Sequence, residues 1–288
     1  MDGHTVPLLG AHMSIEGGLE KAILRGDSLG CATIQLFTKN ASRWEERTLE
    51  KSEISLFRET RKRTGIGPVI SHAGYLINLA SPDREIYLKS LNAMVNEIRR
   101  CEQLGIDLLV LHPGHHRGAG DERGIARAVE ALNTIHAETT GAPVKIALET
   151  TAGQGTCLGS SFEQIARIME GVKETSRLAF CLDTCHVFVA GYDLRTKENY
   201  HDLFRRIDST IGKENLMVIH LNDSKREMGS RVDRHENIGA GMIGEGLFRL
   251  IVGDFTLAGI PKIIETPADL ENLRLLRSFV NQTQRRVE

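Results

Sequence analysis

A chain of 288 residues is longer than one sandwich or one helical bundle usually needs, and it suits a single (β/α)8 barrel. Its 41% hydrophobic and 26% charged residues are those of a globular protein, and no apolar run approaches the roughly 18 residues that span a bilayer, which excludes a helical membrane protein. The formal net charge of −2 speaks against a nucleic-acid partner held by bulk charge alone, because phosphate binding usually leaves a basic excess.

The first residues have neither a basic and apolar leader nor an Arg-rich amphipathic pattern, so a cytoplasmic protein is expected. Five cysteines, Cys31, Cys101, Cys157, Cys181 and Cys185, make no disulfide framework and read as reduced thiols. Cys181 and Cys185 are read as small buried side chains rather than metal ligands.

Short apolar, β-branched runs separated by helical patterns read as buried parallel strands. They fall at 8–14, 33–38, 68–74 and 107–114, then at 145–150, 178–186, 216–223 and 262–266. After the third run, Ser81 is placed to cap a helix and Pro82 to occupy its first turn. Ile86, Leu91, Met94, Val95, Ile98 and Cys101 then recur at about 3.6 spacing before Gly105 ends it. After the fifth run, Ser160 and Glu163 have capping-box spacing. No Pro/Ser-rich linker interrupts the pattern, so one domain is expected over 1–288.

Eight strand-helix units can close as a TIM barrel or open as a doubly wound sheet. The polar residues decide between them. The last six strands end in His72, His112, Glu149, Asp183, His220 and Glu265. In an open sheet these ends lie along a line, whereas in a barrel they form a ring at the functional, C-terminal face. The fold class is therefore read as α/β, a single-domain TIM (β/α)8 barrel.

Three more residues complete the constellation. His186 follows Asp183 by three positions where the sixth strand turns out into its loop, and Asp233 and His235 are one residue apart in SRVDRHENIG. Side chains two apart in an extended segment point the same way, so this pair can grip one ion. Five His, two Asp and two Glu suit zinc, with manganese or iron as the alternative at one position. Nine donors exceed the needs of one ion, and bridging carboxylates let them serve two or three. Such a cluster suits phosphate ester hydrolysis.

The segments GAHMSIEGGL, LFTKNASRW, YLINLASP, LHPGHH, ETTAGQGTCLG, LDTCHVFVAGYD, HLNDSK, SRVDRHENIG and the late ETP resemble the endonuclease IV family over nearly the whole chain. The resemblance implies three zinc ions and hydrolysis of the phosphodiester 5′ to an abasic site in double-stranded DNA, leaving a 3′-hydroxyl. It also implies repair of 3′-blocked ends. It assigns His72, His112 and Glu149 to one zinc, with Glu149 bridging to a second held also by Asp183, His220 and Glu265. His186, Asp233 and His235 take the third. Glu265 becomes the group that orients or deprotonates the attacking water, with Glu149 beside it as the other catalytic carboxylate.

The resemblance further implies DNA contacts by Lys39, Asn40 and Arg43, with Tyr75 and Leu76 wedged into the base stack. An abasic nucleotide has no base to unstack and costs less to extrude. The chain departs from the family pattern in carrying Ser42 where a second wedge Arg stands, with Arg43 one residue later. It also has Ala73 and Gly74 after the third-strand His, and Thr150 after the bridging Glu. Three zinc ions would bring the formal charge to about +4, and Lys225, Arg226, Arg231 and Arg234 add to it locally. A monomer is expected. The competing readings are a metal-dependent sugar isomerase or epimerase on the same barrel, which would need fewer ligands, and a non-catalytic DNA-damage binder.

Overall fold

The computed structural model describes residues 7–284. Residues 1–6 and 285–288 of the expected domain lie outside the described residues. Eight parallel strands close into one barrel in the order β1 (Leu9–His12), β10 (Lys262–Ile264), β7 (Leu216–His220), β6 (Leu178–Asp183), β5 (Lys145–Glu149), β4 (Leu108–Leu111), β3 (Val69–His72) and β2 (Thr33–Leu36). Every expected strand run contains one of them. Helices α1 (Leu19–Ser28), α2 (Lys51–Thr64), α3 (Arg84–Leu104), α4 (Asp121–Glu138), α5 (Phe162–Gly171), α7 (Lys197–Thr210), α8 (Glu245–Gly253) and α9 (Asp269–Gln284) connect the strands or follow the last of them. Among the described residues no helix is long and apolar enough to cross a membrane.

Local boundaries differ in three places from those read in the sequence. Helix α3 begins at Arg84, and its cap is Asp83, whose carboxylate accepts from the N–H groups of Glu85 and Ile86. Ser81 lies outside it. A carboxylate two residues on competes better for those donors, because it also meets the positive end of the helix. Helix α5 is capped by Ser161, which accepts from Gln164 N, while Ser160 only meets the Gln164 side chain. The segment after the sixth strand is a helix, α6 (Thr184–Ala190), and not an open loop.

Inside the barrel, Ile70, Leu108, Val110, Ala147, Ala179, Cys181, Val218 and Ile263 form a separate apolar cluster. Strand side chains alternate, so the residue two positions beyond an inward one enters the same lumen one layer nearer the C-terminal mouth. Beyond Ile70, Val110, Ala147, Cys181, Val218 and Ile263, those residues are His72, His112, Glu149, Asp183, His220 and Glu265. The same step carries Gly10 to His12 on β1 and Thr33 to Gln35 on β2. All eight strands thus contribute to a polar layer resting on an apolar one. A Cβ at Gly10 would stand 1.7 Å from the Thr33 carbonyl oxygen, so only glycine lets these two strands pair this closely.

A short antiparallel pair, β8 (Asp223–Ser224) and β9 (His235–Glu236), folds the 225–234 loop back over the mouth. Buried Asp223 pins the chain that follows, accepting from the backbone N–H groups of Gly239, Gly241, Ile243 and Gly244.

Away from the mouth, α4 buries His136, and neither of its ring nitrogens has a hydrogen-bond partner among the described residues. Burial, with Arg177 nearby, pushes its pKa down to about 4. The unfolded chain, near 6.5, binds more protons between these values, so stability falls as pH drops through that window. By linkage the loss is about 2 kcal/mol at pH 5. His136→Leu is expected to gain stability relative to wild type by that amount between pH 7 and pH 5, read as urea midpoints at both values. Parallel pH dependence in the two proteins would refute it.

Candidate metal centre

The nine expected donors meet at one mouth of the barrel in three overlapping groups. In the first, Glu149 Oε2 lies 3.0 Å from His72 Nε2 and 2.9 Å from His112 Nε2. In the second, His220 Nδ1 is 3.0 Å from Glu149 Oε1, 3.5 Å from Glu265 Oε2 and 3.8 Å from Asp183 Oδ2. In the third, Asp233 reaches His186 Nε2 at 3.1 Å and His235 Nε2 at 3.3 Å through its two oxygens. Asp183 also borders that group, with His235 Nε2 3.8 Å from Oδ2. Glu149 therefore faces two groups, as a bridging carboxylate must. Cys181 and Cys185 come within reach of His220 and of Asp233 with His235, but burial pushes both thiols up to about 12. With no cation beside them both stay protonated.

Asp183 performs two local tasks. Its Oδ1 caps α6 by accepting from His186 N at 2.7 Å, which turns the His186 ring back toward the mouth. Its Oδ2 accepts from Asn222 Nδ2 at 2.7 Å. Thr150 supports this strand end, since its hydroxyl accepts from Asp183 N at 2.9 Å. Its carbonyl also accepts from His186 Nδ1 at 2.8 Å. Main-chain carbonyls likewise take the Nδ1–H of His72 at Ala73 and of His235 at Glu265, at 2.8 and 3.2 Å. Such partners leave Nε2 as the free lone pair and hold the ring, the arrangement typical of metal-ligating imidazoles.

Electrostatics argue in the same direction. Ligand atoms of Glu149, Asp183 and Glu265 lie within 4.8 Å of one another. At an effective dielectric near 20 each ionised pair repels by about 3.5 kcal/mol, so three pairs rival the whole stability of a domain. Burial pushes Glu149 and Glu265 up, yet His112 and His220 beside the first, and His220 beside the second, hold both well below the ordinary carboxylate range. Both carboxylates keep their charge through positive neighbours, a part that a bound cation would take over. The donor set of imidazole and carboxylate fits zinc.

A cavity of about 360 Å³ opens over this cluster, lined also by His12, Phe37 and Tyr75. Tyr75 is 70% exposed at its rim and packs edge-on against Phe37. Leu76 beside it is half-buried. The loop that presents them is fixed by glycine: a Cβ on Gly74 would stand 2.9 Å from the Ala41 carbonyl, which accepts from Tyr75 N at 3.0 Å. Lys39, Asn40 and Arg43 lie elsewhere, around a second cavity of about 600 Å³. The Lys39 ammonium is already engaged by Glu46 at 3.5 Å and Trp44 O at 3.3 Å, and Asn40 accepts from Ser42 N. Arg43 is exposed.

Two residues escaped the sequence reading. Gln35 and His12 stand in the polar layer, with Gln35 Nε2 2.7 Å from Glu265 Oε1 and 3.0 Å from His12 Nδ1. Period-two alternation applied to the first two strands would have found both.

A closed barrel with this ring defines the class, a metal-capable (β/α)8 enzyme scaffold. The family model described as xylose isomerase-like TIM barrel matches residues 25–281. A Chloroflexus aurantiacus protein named "Probable endonuclease 4" is 47% identical over 281 residues, covering 96% of this chain and 99% of its own. The crystal structure of endonuclease IV from Thermus thermophilus superposes with a TM-score of 0.85 at 34% identity, covering 96% of this chain and 100% of that one. A D-tagatose 3-epimerase-like protein shares the fold at a TM-score of 0.75 and 16% identity, over 97% of this chain and 100% of its own. The chain belongs to the endonuclease IV family and is an enzyme.

Proposed function

We propose that the chain is a zinc-dependent DNA repair endonuclease, acting in the cytoplasm as one barrel domain over residues 1–288. It hydrolyses the phosphodiester 5′ to an abasic site in duplex DNA, leaving a 3′-hydroxyl, and clears 3′-blocked ends. Membership of the endonuclease IV family supports DNA hydrolysis. The observation that carries the rest is the convergence of four carboxylates and five imidazoles in three groups at one mouth. A sugar isomerase or epimerase has no need of so many donors.

His72, His112 and Glu149 would hold one ion, Glu149 with Asp183, His220 and Glu265 a second, and His186, Asp233 and His235 a third, with manganese the alternative at one site. Bound zinc would supply Lewis-acid charge to the phosphodiester oxygens, the attacking water and the departing alkoxide. Glu265 takes the water's proton. Its carboxylate lies at the cavity, and Gln35 Nε2 and Asn222 Nδ2 each donate to one of its two oxygens. Tyr75 and Leu76 enter the stack beside the flipped nucleotide, a role that the exposure of Tyr75 supports. Arg43, Lys39 and Asn40 meet the backbone farther along the face.

The test is metal analysis of the purified protein paired with incision of an abasic duplex. Cleavage 5′ to the lesion is expected, lost on chelation and restored by zinc. A fully zinc-loaded protein that binds the duplex and leaves it intact would make the chain a damage binder and end this reading.

A further inference from the structure

Among the site histidines oriented through their second nitrogen, three are held by main-chain carbonyls. His220 differs: its Nε2 lies 2.8 Å from Gln35 Oε1, a side chain 185 residues away in sequence. The orientation of that amide is forced. A carboxylate can only accept, so the edge of Gln35 that sits 2.7 Å from Glu265 Oε1 is its NH2. The second hydrogen of that NH2 goes to His12 Nδ1 at 3.0 Å. The carbonyl is left to accept from His220 Nε2–H, and Nδ1 becomes the nitrogen turned to Glu149, Asp183 and Glu265. Gln35 is fully buried, as is His220, so water offers neither of them a substitute partner.

We propose that Gln35 is the positioning residue of this centre: one amide sets the tautomer of His220 for a bound divalent cation and aligns the carboxylate of Glu265. The inference rests on the metal-centre reading above. It separates two tasks that different substitutions remove. Gln35→Met fills the same space but neither accepts from His220 nor donates to Glu265. Gln35→Glu still accepts from His220 and sets a second carboxylate against Glu265.

Zinc-loaded wild type and both variants are challenged with a chelator, without DNA, and zinc release is followed. Steady-state incision of an abasic duplex is measured separately. Gln35→Met is expected to hold zinc about 10–100-fold less tightly, the usual cost of removing the partner of a ligating imidazole. Gln35→Glu is expected to hold zinc more tightly than Gln35→Met while kcat falls at least about tenfold with KM unchanged, because the acceptor for His220 survives and the alignment of Glu265 is lost. A residue that merely fills space would tolerate Met. Wild-type zinc retention by Gln35→Met, or wild-type kcat in Gln35→Glu, overturns the assignment, and each variant decides its own half. Absence of incision by zinc-loaded wild type would refute the nuclease reading and leave the zinc-release result standing. A wild type that binds no zinc would overturn both.

Discussion

Glu265→Gln is expected to lower incision of an abasic duplex by about 10²–10⁴-fold, the range for loss of a general base, while duplex affinity stays within a few-fold. The substitution is close to isosteric, so the contact with Gln35 can persist through the remaining carbonyl. What disappears is a negative charge and a proton acceptor that two amides hold at the cavity. Metal content must be measured alongside, because Glu265 also belongs to the group around His220. A variant that keeps its full complement of zinc and still cleaves at the wild-type rate would remove Glu265 from the chemistry.

Glu149→Ala is expected to be still more damaging, and for a different reason. Glu149 is the carboxylate that faces two groups, meeting His72 and His112 through one oxygen and His220 through the other. On the proposed assignment its loss would take a ligand from two ions at once, so the effect on metal affinity should exceed the roughly 10–100-fold seen for an outer partner. Zinc should also stop protecting the fold. Ligand at a 100-fold excess over its Kd stabilises the native state by about 2.7 kcal/mol, so added zinc should raise the melting temperature of wild type and leave that of Glu149→Ala nearly flat. Equal zinc content and equal protection in the two proteins would contradict the bridging role.

The polar layer was legible because the alternation that builds it is local. A strand sends residues i and i+2 to one face whatever surrounds it, so His72, Glu149, Asp183 and His220 could be recognised by standing at the ends of apolar runs. His12 and Gln35 obey the same rule and were passed over. Gln35 is neither charged nor an imidazole, and its importance lies in partners on β7 and beyond β10 that no local pattern names. Helix starts were misplaced by one or two residues at Ser81 and Ser160 for a related reason. Several hydroxyl or carboxylate groups compete for the same free N–H donors, and the winner depends on how the preceding loop is packed.

Lys39 and Asn40 show the opposite limit. The resemblance implied DNA contacts by both, and only the fold shows that the Lys39 ammonium also meets Glu46 and that Asn40 accepts from Ser42 N, pairings set by how the 39–46 loop folds on itself. Arg43 stays exposed and open to a phosphate.

Residue order alone settled the number of barrel strands, the inward face of the last six and the chemical character of the ring they build, since these follow from covalent geometry and side-chain type. Closure of the barrel decided which donors gather into one group, which nitrogen each imidazole turns to the carboxylates and that Asp183 both caps a helix and faces His220 and His235. Those outcomes depend on distances between strands far apart in the chain, and hydrogen bonds and Coulomb attraction act only once the fold has brought their partners within a few ångströms.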